Sequence, residues 1–497
     1  MGIADIETFD IRSGKGKKPL LRIQGKILRI DDLKQMRLQA NVETASQPWI
    51  AKYLQRMPAD NYPLAGTITI TGTDDGVRID DLRLGTANEE GLVLQARGKL
   101  SRLSASPEID LQLTATVPDP STIGSIVNIS LPPLGPLVIN GRINGSRQNF
   151  AFKGKTRMGD TAFTTTISTT FAAPRPRIVA RFAATVVNLE DMGIYPEAPT
   201  EPSVAASQPN SQKSDRLFDD TPLSLEDLKT VDLEIVLDAD KLVGRNSTIS
   251  NLNLSIRLEN GRLHIYPASL TYAAGSTTLE VLIDASESTP EFILKITGED
   301  IDIEDVLAHV HRPQTLSGAF NLVLNLQSAG RSAREIASNL KGEFSAALEN
   351  GRIKRIVDFL SADAFDLVFG VANRRTYTDL QCLFSKIQFE NGVGTIENLF
   401  MDTPTTWAGG AGHINLADES IDLVVNSVKK KRLIKKGSAL QIKGSLAKPA
   451  IQKLSRKDAY RIYGNILMPY VYLPSRALGK LMYLIKKDND ATGCVFE

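Results

Sequence analysis

Few residues in the 497-residue chain have the types and spacing that chemistry needs. Ser445 and Lys448 stand at the S-x-x-K spacing of a serine nucleophile with a lysine base. That chemistry also requires S-D-N and K-T-G elements, which are absent, and Pro449 directly after Lys448 disfavours the helix on which the serine would sit. His309 and His311 lie two apart and would share one side of an extended segment. Two ligands without a third make a poor metal site, so a loop or helix end is expected there. His264 beside a turn and His413 in a Gly-rich turn are expected to be structural. The adjacent pairs Asp31–Asp32, Asp80–Asp81 and Asp219–Asp220 would point to opposite faces of a strand, so they read as solvated turn residues rather than carboxylate dyads. No G-x-S-x-G, H-E-x-x-H, G-x-x-x-x-G-K-[ST] or G-x-G-x-x-G occurs. The expectation is a protein that is not an enzyme, with no catalytic residue, no metal and no cofactor.

Two further features rise above background. The run 428–436 carries Lys429, Lys430, Lys431, Arg432, Lys435 and Lys436. Such a cluster suits anionic headgroups, each basic residue contributing about 1 kcal/mol near a charged membrane surface. It equally suits a loop or edge strand guarded by lysines against edge-to-edge pairing. Cys382 and Cys494 are the only cysteines, too few for a four-ligand zinc site or a disulfide-dense scaffold but enough for one bridge.

The elements that must position these residues are strands. In 231–238, Val231, Leu233, Ile235 and Leu237 share one face, and Asp232, Glu234 and Asp238 the other. The same period of two recurs at Leu252, Leu254, Ile256 and Leu258, at Leu279, Val281 and Ile283, at Phe292, Leu294 and Ile296, and at Phe320, Leu322, Leu324 and Leu326. Further copies stand at 67–72, 109–117, 380–384 and 414–416. One apolar and one wet face fit an antiparallel sheet, and Gly, Asn and Asp in 73–79, 258–263 and 389–394 supply its turns. Segments opening at Pro107, Pro176 and Pro290 repeat one strand pattern. The latter two run on into VNLEDM (187–192) and IDIEDV (301–306), an acidic turn fit to start a short helix. Ser332 and Glu335 form a capping-box pattern before a short helix. Further helix is expected within 355–372 and from about Lys457 to Lys487, broken at Pro469 and Pro474. With so few helices to cover them, the aliphatic faces either close on one another as a sandwich or stay partly open to something apolar.

Lys and Arg total 58 against 57 Asp and Glu, which removes the global electrostatic case for nucleic acid. Neither a signal-peptide core in residues 1–30 nor a run of about 18 apolar residues anywhere is present. Residues 196–216, rich in Pro and Ser, read as a flexible linker or loop. The organisation expected is repeated β units over 1–195, that linker, a C-terminal β domain over 217–455 and a helical segment over 456–497.

Several stretches resemble the AsmA-like family of bacterial envelope proteins, particularly its C-terminal region. Residues 217–267, opening LFDDTPLSLEDL, resemble the family's F-S-D-T-P-L-P-L-x-x-L entry segment, followed by an alternating strand and a turn, here Asn260-Gly261-Arg262-Leu263. Residues 316–353, 380–423 and 441–451 match in order, and 131–143 through VNLEDM resembles the unit before them. The last match also accounts for Ser445 and Lys448 as parts of a terminal strand motif.

The resemblance implies an all-β, elongated antiparallel sheet of repeated units forming a groove, in a periplasmic protein anchored to the inner membrane by an N-terminal helix. This chain lacks that helix and the usual first β units, as a fragment or a late-starting gene would. It implies outer-membrane assembly or phospholipid transport in the Gram-negative envelope. On this reading Leu233, Ile235, Leu254, Ile256, Val281, Ile283, Leu322 and Leu324 shelter acyl chains. Lys429–Lys431, Arg432, Lys435 and Lys436 meet headgroups, and Cys382 and Cys494 pair or stay as two thiols. Partners would be phospholipid, a membrane surface and other envelope proteins. The rival expectation is an assembly factor for outer-membrane proteins with a closed β core and no lipid cargo.

Overall fold

The computed structural model of the protein describes residues 5–13, 21–30, 32, 34–44, 64–74, 76–86, 93–101, 107–118, 136–146, 148–171, 175–193, 216–244, 248–309, 314, 316–354, 377–404, 406–429 and 438–454. The period-two alternation is realised as strand almost throughout: 24 strands occur among the described residues, with two short α-helices and two 3-10 turns. The chain divides into two compact units, Met1–Glu197 with Thr230–Leu252, and Ala198–Lys229 with Asn253–Glu497.

The first unit is a meander of β1 (Ile6–Ser13), β2 (Leu21–Leu28), β3 (Arg37–Thr44), β4 (Leu64–Thr73), β5 (Gly76–Thr86), β6 (Val93–Ser101), β7 (Glu108–Val117), β8 (Leu137–Ser146), β9 (Asn149–Met158), β10 (Thr161–Thr170) and β11 (Arg177–Asn188). Each pairs antiparallel with the next. The following strand, β12 (Asp232–Val243), corrects the antiparallel expectation. It lies parallel to β11, from Arg177 opposite Asp232 to Asn188 opposite Val243. Parallel neighbours need a crossover instead of a hairpin, and the connection from 189 to 231 supplies the length. Both ends of the pairing are fastened, by the Asp232 N–H to the Pro176 carbonyl at 2.9 Å and the Leu189 N–H to the Val243 carbonyl at 3.0 Å. Residues 196–215 of the expected linker lie outside the described residues.

The acidic turn of VNLEDM has a mechanical role. Glu190–Met192 forms a 3-10 turn, and Asp191 Oδ2 accepts from the Asp160 N–H (3.0 Å), the Thr161 N–H (2.9 Å) and the Thr161 hydroxyl (2.8 Å). It thereby clamps the β9–β10 turn. Gly159 there has φ 54°, and a Cβ would stand 2.0 Å from the Asp191 carboxylate, so only glycine fits.

In the second unit, β13 (Thr248–Glu259) carries the division between units and leads into β14 (Arg262–Tyr272), β15 (Gly275–Asp284) and β16 (Glu291–Asp302). The IDIEDV signature then continues as α1 (Ile303–His309). There follow β17 (Leu316–Ala329), α2 (Ala333–Ser338), β18 (Lys341–Lys354), β19 (Tyr377–Glu390), β20 (Val393–Asp402), β21 (Thr406–Asn415), β22 (Ser420–Lys429), β23 (Ser438–Ser445) and β24 (Lys448–Leu454). From β14 to β24 every strand pairs antiparallel with the next. The Asn-Gly pairs make the turns expected of them, with positive φ at both Asn260 and Gly261 and at both Asn391 and Gly392. The capping pattern also forms: Ser332 Oγ accepts from the Glu335 N–H at 3.2 Å. The Glu335 carboxylate takes the Arg331 N–H, one residue before the position the capping box would use. The helices expected in 355–372 and 457–487 lie outside the described residues.

Candidate functional site: an apolar sheet face

Directly opposed residues in a ladder share a face of the sheet, so the registers trace rows of side chains across many strands. In the first unit one row starts at Phe9, passes Gly25, Ala40, Ile68, Leu82, Gly98, Leu111, Ile143, Phe152, Ile167 and Ala180, and ends at Ile235. Twelve strands contribute, and none of those side chains is polar. In the second unit a row runs from Ala268 through Leu279, Ile296, Leu324, Phe344, Ile387, Ile396, Gly412, Leu423 and Ile442 to Ile451. The parallel row beside it includes Ile265, Val281, Leu294, Leu326, Phe389 and Ile414. Each unit therefore carries an apolar stripe running across its strands, built from alternation within each strand and from register between them.

The structure puts Leu233, Ile235, Val281, Ile283, Leu322 and Leu324 on these faces, and Leu254 and Ile256 on one face of β13, with their side chains half-buried. None of them is sealed or fully exposed. Burial is reached at some points of the stripes, at Leu82, Phe152 and Ile396 among the large side chains, and more completely beside them. In the second unit, Leu348, Leu380, Met401, Ala408 and Leu440 form a buried cluster, with Ile303 of α1, Phe320 and Leu383 packed against it. At this end of the strands Ala347, Phe384 and Phe400 are buried on the opposite face as well. The expectation of one dry and one wet face is thus corrected locally: here the sheet is dry on both sides.

Elsewhere the opposite face carries a continuous polar row. In the second unit Glu280, Lys295, Asn325, Glu343 and Gln388 stand in one row, followed by Thr395, His413, Asp422 and Lys443. Lys295 (3.1 Å) and His264 (3.2 Å) share the Glu280 carboxylate. Lys295 first, then His264, hold that carboxyl below its ordinary range against the opposing effect of burial. At the β15 end, the Ser286 hydroxyl, the Arg262 guanidinium and the Ser286 amide bring Asp284 down to about 2. In the first unit the Arg142 guanidinium holds Asp110 below the usual carboxylate range.

One edge of the second unit is tied into a belt. Turn-to-turn hydrogen bonds join Ala285 to Gly261, Gly330 to Pro290, Gly392 to Leu340, Leu416 to Gly392, and Leu446 to Glu419. The segment 217–229, which opens the family-like stretch, fastens along this belt. The Leu217 and Phe218 N–H groups donate to the buried carboxylate of Glu419 at 2.7 and 3.1 Å. Arg334 reaches Asp220 at 2.9 Å and the Phe218 carbonyl at 3.1 Å, and the Leu223 N–H donates to the Arg331 carbonyl at 2.7 Å. The segment ends in the 3-10 turn Glu226–Lys229 beside β14. Glu419 escaped the sequence reading because its partners lie about 200 positions away; the only local signal was LFDDTPL itself.

The remaining candidates occupy ordinary places. Ser445 and Lys448 flank the β23–β24 hairpin, and Ser445 Oγ accepts the Ala447 N–H. Asp80 takes the Thr71 hydroxyl and Arg78, Asp81 takes Arg83, and Asp219 takes Thr221. His264 stacks on Tyr266 at 5.7 Å, and His413 is exposed on the polar face. The backbone of His309 closes α1. Lys429 ends β22, whereas Lys430, Lys431, Arg432, Lys435 and Lys436 lie outside the described residues, as do Asp31, His311 and Cys494. Cys382 is buried within β19. Among the described residues no group of three or more metal-ligating side chains converges, and no helix is long and apolar enough to cross a membrane.

Comparison with known proteins follows the same geometry. The AsmA family matches residues 22–399. The AsmA family protein YhjG of Escherichia coli (strain K12) is 21% identical over 360 residues, 69% of this chain and 52% of that protein. Protein AsmA of the same organism is 22% identical over 195 residues, 38% of this chain and 31% of that protein. The chain thus spans about half the length of the first relative and about a third of the second. No solved structure matches.

Proposed function

Because the chain belongs to the AsmA family, an envelope family of bacteria, we propose that it is a non-enzymatic protein that holds phospholipid acyl chains on the apolar face of its strands. In that role it supports outer-membrane assembly or lipid homeostasis. The observation that carries the reading is the pair of uninterrupted apolar stripes, most of whose large side chains are only half-buried, Leu82, Phe152 and Ile396 being the buried exceptions. An acyl chain laid across the strands would cross one about every 4.8 Å and replace water over those side chains. Each methylene buried would contribute about 0.8 kcal/mol. No reaction and no cofactor are needed. The protein would act in the periplasm, anchored to the inner membrane, in contact with phospholipid, the membrane surface and other envelope proteins.

The rival reading, an assembly factor with a closed core and no cargo, is favoured by the sealed cluster around Leu348 and α1. Purification from a membrane-containing host followed by mass spectrometry of extracted lipid separates the two. Phospholipid in near-stoichiometric amount is expected. A lipid-free preparation sinks the groove reading and leaves the assembly factor.

A further inference from the structure

The polar face of the first unit is not balanced in charge. Lys153, Lys155 and Arg157 occupy alternate positions of β9 and therefore leave the sheet on one face, while Phe152 and Gly154 face the apolar stripe. Across the ladder Lys153 stands opposite Arg142 of β8, Arg142 opposite Gln112 of β7, and Gln112 opposite Arg97 of β6. Lys155 stands opposite Asn140 and Thr164, so its neighbours across the ladder bring no negative charge. Arg142 is committed to Asp110 at 2.6 Å. Arg97, Lys153, Lys155 and Arg157 are exposed and have no ion pair among the described residues. With strands about 4.8 Å apart and alternate residues about 6.8 Å apart, these four cover a patch roughly 14 Å on a side. The three cations of β9 lie within about one Debye length of their neighbours, so their fields add, and Arg97, about 14 Å away across three strands, widens the patch.

We propose that this face of the first unit docks on an anionic phospholipid bilayer, with Arg97, Lys153, Lys155 and Arg157 among the phosphates. The occupant follows from the layout. The cations spread in two dimensions over a sheet face and do not converge on a cavity, so they match an extended anionic surface better than a single small anion or a linear polymer following one row. The proposal does not rest on acyl-chain binding, because the patch and the apolar stripe lie on opposite faces of the same strands. The alternating pattern K-G-K-T-R at 153–157 is the sequence signal for it.

The test is flotation of the full chain with vesicles of phosphatidylcholine alone and of phosphatidylcholine mixed with phosphatidylglycerol. The wild type is expected to float only with the anionic vesicles and to be released by salt. The combined variant Arg97→Gln, Lys153→Gln, Lys155→Gln, Arg157→Gln should lose roughly tenfold or more of that binding with an unchanged circular dichroism spectrum. A second variant, with Gln in place of the basic residues of 429–436, should keep a salt-sensitive share that depends on the four. The proposal is overturned if the four-residue variant floats like the wild type, if the 429–436 variant alone abolishes binding, or if the wild type ignores anionic vesicles. It is also overturned if heparin is bound in solution and vesicles are not, which would assign the patch to a polyanion.

Discussion

Glu419 holds Leu217 by accepting its backbone N–H at 2.7 Å, a contact between residues 202 positions apart. The carboxylate is buried, and it also receives the Phe218 N–H. Hydrogen bonds to an ionised acceptor are stronger than neutral ones, and losing the acceptor strands the donors. Glu419→Gln should weaken the attachment of 217–229 by about 1–3 kcal/mol. Hydrogen exchange at the Leu217 and Phe218 amides should accelerate, and trypsin should cut faster after Arg216. Wild-type exchange in the variant would show that Glu419 is not the anchor.

Leu348 and Leu324 are chemically identical and differently placed. Leu348 is 1% exposed in the cluster beside α1, whereas Leu324 is half-buried in the stripe. Truncation at a closed site leaves a cavity, so Leu348→Ala should cost about 2–5 kcal/mol. Leu324→Ala removes less buried area and should cost about half as much or less. Urea unfolding monitored by circular dichroism measures both. Equal losses would mean that the stripe is sealed like the core.

What could be read from the sequence was whatever is local or periodic. The alternation at Leu279, Ile296 and Leu324 announced strands, and the register then placed those three side chains in one row. Asn260-Gly261 and Asn391-Gly392 announced their turns, and Ser332 with Glu335 announced α2. The direction of β12 was not legible, because either direction uses the same alternation and the choice is made by the connection from 189 to 231. The burial of Phe384 and Phe400 was hidden for a related reason: alternation tells which residues share a face but not what packs on it.

Asp284 supplies a pH dependence. Its folded-state value of about 2 lies below the ordinary carboxylate value near 4. A lowered folded-state value means that the charged form stabilises the fold above about pH 4, and that this contribution is lost as the pH falls toward 2. Asp284→Asn lacks the charge at every pH. The urea-midpoint gap between wild type and Asp284→Asn should therefore be widest above about pH 4 and narrow steadily below it. A gap independent of pH would mean that the Ser286 and Arg262 contacts do not favour the ionised form.

Cys382 is buried in β19, with Glu349 and Asp402 opposite it on the neighbouring strands. Pairing with Cys494 would close a loop of about 110 residues, for which chain entropy gives about 4–5 kcal/mol of stabilisation. Intact mass under non-reducing and reducing conditions should differ by two hydrogens. The thermal midpoint should fall on reduction. Identical masses would mean two separate thiols.

The stripe offers the most direct functional test. Ile296 and Leu324 face one another across β16 and β17, with Leu279 and Phe344 on either side in the same row. An amide in place of either leaves strand alternation and the buried cluster at Leu348 untouched, because each is half-buried and stands outside that cluster. An acyl chain crossing that point would meet two polar groups whose desolvation no hydrogen bond offsets, at about 1–3 kcal/mol each. Ile296→Asn with Leu324→Asn should therefore reduce co-purified phospholipid about tenfold or more while the circular dichroism spectrum is kept. A control pair of changes at the adjacent positions on the polar face, Lys295→Asn with Asn325→Ala, should leave the lipid content unchanged. If both doubles lose lipid equally, the loss reflects the fold and not the stripe. If neither does, the acyl chains are held elsewhere.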